Sequence, residues 1–415
     1  MNSSTSGINQ SPPLQWARLG GLYFVALFIP ASWTLALSAI LKSSGYEEYT
    51  GWAFAVPPIA GIISPLLFGA YAEQKVEAQK LLQGIALISS IFLALAFEAL
   101  NRDWGIEYFF LFFSLNALFA APISPLVASI CLHHTPNTEK DFPMIRLWGT
   151  FGWMFAGLLI SWGMQWDDDP RVGWLATAGR LLLALLCFFV PSTPPKTQTQ
   201  LSWKDRLGWN GLQLLKVRDY RVFFLSLLLM SIPTATLYMS TPLLLGELGV
   251  EQASGYMTMA QVLEVFAMFI VGWLLSRYRI KWVMMTAIAI GFIRFISYAL
   301  GAHLESLFLV SVGIVLHGLN YTLFFVTSQV FLQKRVPVAV KIQAQALYAV
   351  MTTGLGNALG SIIMNDIFQG AQHWFPESYW TYFWGFCALW VLALGLYFLF
   401  GYQGKGGKNQ PTEAN

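Results

Sequence analysis

Charge is what this chain has least of. Only 11% of its 415 residues are Asp, Glu, Lys or Arg, against about 25% in an ordinary soluble domain. Hydrophobic residues reach 56% and aromatics 16%. So few charges cannot clothe the surface of a soluble fold this large, which leaves a polytopic membrane protein. Cysteine is scarce too: Cys131, Cys187 and Cys387 all lie in apolar runs. Three cannot pair completely and no C-x-x-C spacing exists, so neither a disulfide framework nor a metal site is indicated. H-E-x-x-H, G-x-S-x-G and P-loop motifs are absent, and the adjacent His133 and His134 do not share a helix face as zinc ligands would. No enzyme and no cofactor are expected. The basic residues are scattered in short loops without an aromatic-basic platform, which argues against nucleic acid as a partner.

Long apolar runs are what the chain has instead. A helix needs about 20 such residues to cross a bilayer, and the sequence places spans 1 to 12 at about 19–41, 51–72, 81–100, 107–132, 142–164, 173–192, 222–246, 253–276, 282–301, 306–333, 342–365 and 379–402. The first 17 residues carry no charge, and the run from Leu19 to Leu41 exceeds a signal h-region, so it reads as a retained span. The organisation expected is a tail (1–18), a six-helix bundle (19–192), a linker (193–221), a second six-helix bundle (222–402) and a tail (403–415). With both termini cytoplasmic, 18 Lys and Arg fall in inside segments and three (Lys42, Arg102, Arg171) in outside loops. That asymmetry orients the chain. The segments "GAYAEQKVEAQK" (69–80) and "GWLLSRYRIK" (272–281) follow equivalent spans of the two halves, each with a glycine and then a short basic loop. Six plus six spans around a cytoplasmic linker is the architecture of major facilitator transporters. Their loop motif is degraded here, with Glu73 in its Asp position and Ser276 in the second copy.

A charge at mid-bilayer costs at least about 2.5–3.5 kcal/mol, so such groups tend to be paired or functional. Of the 21 acids, only Glu264 is central, 13 residues from both Glu251 and Arg277. That is roughly 20 Å from either end of its span. Low dielectric disfavours the charged form of a lone carboxylate, which suits it to taking up and releasing a proton. A protonated Glu making one interhelical hydrogen bond is the structural alternative. Gln261 and Thr258 precede it at steps of three, forming a polar stripe. On span 5, "DFPMIRLWGTFGW" (141–153) puts Arg146, Thr150 and Trp153 on one face. Arg146 either snorkels to headgroups or, with its stripe running inward, meets a ligand. Asp141 suits a helix N-cap. Span 10 aligns His317, Tyr321 and Phe324, with Asn320 and Thr322 beside them. Such aromatics stack on flat rings, and packed cores look similar. Span 7 offers Thr234, Tyr238 and Thr241. Arg294 in "FIRF" is embedded without an evident role.

At these residues the chain resembles the nucleoside:proton symporter family of the major facilitator superfamily. The matches are "DFPMIRLWGTFGW", "QVLEVF" (261–266), "SRYRIKWVMM" (276–285), "IRF" (293–295) and "LHGLNYTLFFVTSQVFLQKRVP" (316–337). The resemblance implies an all-α major facilitator fold with 12 transmembrane helices in two six-helix halves. It also implies proton-coupled import of a nucleoside by alternating access, in a bacterial inner membrane, as a monomer. The implied site joins Arg146, Thr150 and Trp153 to Gln261 and Glu264, with Glu264 coupling protons and Tyr321 stacking on the ligand; His317 lies on the same span-10 stripe. Three positions depart from the family pattern. Thr322 stands where an acid is expected at the ribose, and Thr234 and Leu237 stand where amides are expected at the base. Another cargo, such as an oligosaccharide or aromatic acid, or a ligand sensor without flux, are the alternatives these departures leave.

Overall fold

A bilayer core offers no partners to backbone N–H and C=O groups, and a helix satisfies them within one segment. The computed structural model describes residues 12–68, 76–135, 141–195, 209–337 and 340–404, and within these every regular element is helical. Ten helical stretches are long and apolar enough to cross a membrane. Thr50–Phe68 and the shorter Val172–Leu186 occupy the places of spans 2 and 6. The motif around Glu73, the middle of the linker and both distal tails lie outside the described residues.

Several spans are broken or locally rewound. Span 1 runs as Pro12–Thr34 and resumes as Leu37–Ser43. Span 7 divides into Arg218–Thr234 and Thr236–Glu247, just after Pro233, whose missing N–H and ring interrupt the ladder. Spans 5, 10 and 11 each contain a stretch of wider π-turns: Leu159–Met164, Thr322–Val326 and Val350–Gly354. These local rewindings frequently mark functional positions. They escape sequence periodicity because inserting one residue per turn leaves the apolar content unchanged.

Two buried apolar cores form. One draws on residues from Leu19 to Val190. The other is built mainly from Tyr220 to Tyr402 and also takes in Phe28, Ala31, Leu35 and Ala156. The face of the bundle opposite the described chain ends carries a cluster of polar contacts between the two sets of helices. Lys42 donates to Glu247 at 3.3 Å, and the Glu48 carbonyl accepts from Asn365 and Gln369 at 3.2 and 3.0 Å. Spans 5 and 8 meet nearby at Gly157, where an added Cβ would stand 2.7 Å from the Ser254 carbonyl oxygen. Only a residue without a side chain allows that approach.

Candidate functional site

Glu264 lies within the helix Met259–Arg277 of span 8, and it is partly open to space rather than sealed in the core. Among the described residues, no ion pair within 4 Å neutralises it. Span 10 comes unusually close at this level. Gly318 packs so tightly that a Cβ there would sit 2.2 Å from the Ala260 carbonyl oxygen and 2.5 Å from the Glu264 nitrogen. The glycine therefore brings the span-10 aromatics alongside the acid. Tyr321 follows one turn later, with His317 stacked on it at 5.9 Å between ring centroids.

From the first half, span 5 contributes Arg146, Thr150 and Trp153. Arg146 is exposed in the first turns of the span-5 helix Asp141–Leu158. Trp153 packs against Tyr238 of span 7, with centroids 5.5 Å apart. The Tyr238 hydroxyl in turn lies 3.1 Å from the Gln261 carboxamide. With the amide oxygen turned towards the tyrosine, Gln261 nitrogen donates to the Met257 and Thr258 carbonyls at 3.3 and 3.0 Å and its oxygen accepts from the Tyr238 hydroxyl, while the buried Trp153 indole N–H finds no acceptor among the described residues. Trp153, Gln261, Glu264 and Tyr321 thus draw together from spans 5, 8 and 10, with Arg146 and Thr150 on the same span-5 stripe as Trp153.

Other residues singled out from the sequence are placed differently. Thr322 is fully enclosed at the start of the span-10 π-turns, and its hydroxyl has no partner. His317 is 6% exposed, so its stack with Tyr321 is made from the protein side. Thr234 spends its hydroxyl on the Met230 carbonyl one turn back, at 2.8 Å, and Leu237 is buried. Arg294 is completely enclosed in the second core, its guanidinium over the rings of Phe295 and Tyr298 at 4.7 and 5.5 Å. Aromatic faces, rather than a carboxylate, lie against that cation. Arg180 likewise stays inside the first bundle, donating to Ser89.

Tyr238 is part of the polar stripe the sequence offers on span 7, but nothing local shows that it bridges Trp153 and Gln261. Tyr348 gave no signal. It is buried on span 11 and donates at 3.1 Å to the Phe325 carbonyl, a group within the π-turns of span 10. Close by, a cleft of about 440 Å³ opens between Pro57 to Ile62 of span 2 and Ala346 to Asn357 of span 11. Its volume is within the range of small-molecule sites. It is lined by neither Arg146 nor Glu264.

Comparison with known proteins bears on this geometry. The family model described as "Nucleoside H+ symporter" matches residues 15–406. YegT of Escherichia coli is 30% identical over 400 residues, covering 92% of each chain. The nucleoside permease NupG of Escherichia coli is 26% identical over 407 residues, covering 92% of this chain and 95% of its own. A crystal structure of the nucleoside transporter NupG superposes with a TM-score of 0.82 at 24% identity, over 94% of this chain and 99% of that one.

Proposed function

The chain belongs to the nucleoside:proton symporter family, a family of multi-pass membrane transporters rather than enzymes, and from that premise we propose that it imports a nucleoside together with protons by alternating access. The observation that carries the reading is the carboxylate Glu264, without an ion pair within 4 Å among the described residues and with span 10 packed against its backbone through Gly318. A carboxylate in low dielectric is a proton site by default, because the neutral form avoids the desolvation cost.

Glu264 takes a proton from the outside when the interior faces outward and releases it when the interior faces the cytoplasm. Arg146 either holds the substrate through charge-assisted hydrogen bonds or pairs with ionised Glu264, so substrate and proton both bias which conformation is populated. Only a ligand that binds the two conformations unequally can do this. Trp153 and Tyr321 offer aromatic faces to a planar base, and Gln261 with Thr150 supplies hydrogen bonds at its edge. The two six-helix units, 19–192 and 222–402, rock about this site, with both termini on the cytoplasmic side of a bacterial inner membrane and a single chain sufficient for transport.

Nucleoside rather than sugar is favoured because the residues that converge offer two ring faces, whereas Thr322, which would stand at the ribose, is enclosed. The test is a competition panel in cells expressing the chain. Uptake of labelled uridine should be blocked by unlabelled nucleosides and nucleobase analogues, and unaffected by oligosaccharides and aromatic acids. Competition by the sugars instead, with nucleosides inert, would overturn the assignment. Label that binds without being internalised would identify a sensor.

A further inference from the structure

The polar contacts that close the face opposite the chain ends include one arrangement that the transport site does not use. Asp167 sits in the turn after span 5 and is 9% exposed. One of its oxygens, Oδ1, accepts two hydrogen bonds: from the Ser161 hydroxyl at 2.9 Å and from the backbone N–H of Ser254 at 2.6 Å. The Ser161 hydroxyl, so engaged, accepts from the N–H of Gly255 at 2.7 Å. Asp167 and Ser161 belong to the first half; Ser254 and Gly255 open span 8 in the second. The two side chains therefore take up two consecutive backbone donors from the far side of the interface. Those donors stand at the start of a helix, Ala253–Met257, where N–H groups lack intrahelical acceptors.

Shape enforces the same contact. A Cβ on Gly255 would stand 3.1 Å from Ser161 Cβ, and one on Gly157 would meet the Ser254 carbonyl. At Gly157 a side chain would hold span 8 off, and at Gly255 it would press on Ser161 itself. The wider π-turns over Leu159–Met164 place Ser161 at this junction.

We propose that Asp167 and Ser161 are positioning residues of the outer gate, a latch whose two shared hydrogen bonds hold the start of span 8 against the end of span 5 and which must part for the interior to face outward. The latch rests on the alternating-access reading above and adds to it the residues that set the balance between its two states. It differs from the neighbouring Lys42–Glu247 pair, which is partly exposed and so screened by water. Here the acceptors are buried, and leaving their donors unpaired carries the full desolvation cost.

The test uses pulsed electron paramagnetic resonance on the full chain in proteoliposomes. Spin labels go on Asn101→Cys, the exposed last residue of the helix Ala78–Asn101, and Glu305→Cys, in the exposed turn after the helix Ile280–His303, on the same face in opposite halves; the three native cysteines are buried. The wild-type background should show a dominant short distance and a minor long one. Asp167→Ala and Ser161→Ala should each raise the long-to-short ratio about tenfold. Asp167→Asn keeps an oxygen acceptor at the same place and should stay within about threefold of wild type, whereas Asp167→Leu, which fills the space without an acceptor, should behave like Asp167→Ala; a merely space-filling role would rescue both. Unchanged ratios in both alanine variants, with the long distance clearly present, would overturn the latch and leave alternating access standing. A single distance in every variant, with and without uridine, would overturn both.

Discussion

At the scale of the residue, Arg146 and Asp167 carry opposite lessons. Arg146 stands exposed and free of any carboxylate within 4 Å among the described residues, a cation left available to a ligand. Its replacement by alanine is expected to raise the KM for uridine about tenfold to a hundredfold, the range of one or two charge-assisted hydrogen bonds. Initial rates over a uridine concentration series check this. Asp167 predicts a pH effect. Burial pushes its carboxyl above the ordinary range while the gate is closed, with the negative Asp168 next to it adding to the rise. The bonds from Ser254 and Ser161 oppose the shift. Nearby, Asp169 is engaged by Arg171, Lys42 by Glu247 and Glu47, and Glu251 lies exposed before span 8. When the gate opens, the carboxyl meets water and returns to its usual value. A proton therefore binds the closed gate better, and closure gains as pH falls from the raised value towards the ordinary one. Above both values the term is flat. The distance distribution measured against pH in a Glu264→Gln background should show this, and adding Asp167→Asn should abolish it.

Elements were legible from composition, and their interiors were not. Apolar length alone placed the helices, ten of which are long and apolar enough to cross a membrane among the described residues, because a helix satisfies its own backbone in lipid. The same logic isolated Glu264: one acid at the centre of an apolar run is visible without a structure. What stayed hidden was which helices approach one another, and that depends on small residues whose meaning is non-local. Gly318 is the example. It is one of 35 glycines in the sequence, and only the fold shows that span 8 lies against it. Gly318→Ala would put a methyl carbon 2.2 Å from the Ala260 oxygen, so spans 8 and 10 must separate. The expected cost is about 1–3 kcal/mol, read as a lower melting temperature in detergent, together with reduced uptake as Tyr321 moves off Glu264. The enclosed Thr322 and the self-satisfied Thr234 illustrate the converse. Helical spacing put them on candidate stripes, while the π-turns and an i−4 hydrogen bond removed them.

For the whole molecule, the closed face implies a motion. Lys42 and Glu247 meet through the ends of their side chains across the halves at 3.3 Å, so cysteines at both positions should be joined by a short bis-methanethiosulfonate crosslinker, which spans the gap the two long side chains now fill. Uptake should fall to background when the crosslink forms and return on reduction, since a transporter locked shut on one side cannot turn over. Retained transport with the crosslink complete would exclude rocking at this interface. The central claim, though, concerns Glu264, and it is tested most directly in vesicles with an imposed pH gradient. Wild type should accumulate tritiated uridine above equilibrium and lose that excess on addition of a protonophore. Glu264→Gln should still exchange uridine across the membrane but never concentrate it. Concentrative uptake by Glu264→Gln equal to wild type, or wild-type uptake indifferent to the gradient, would contradict the account.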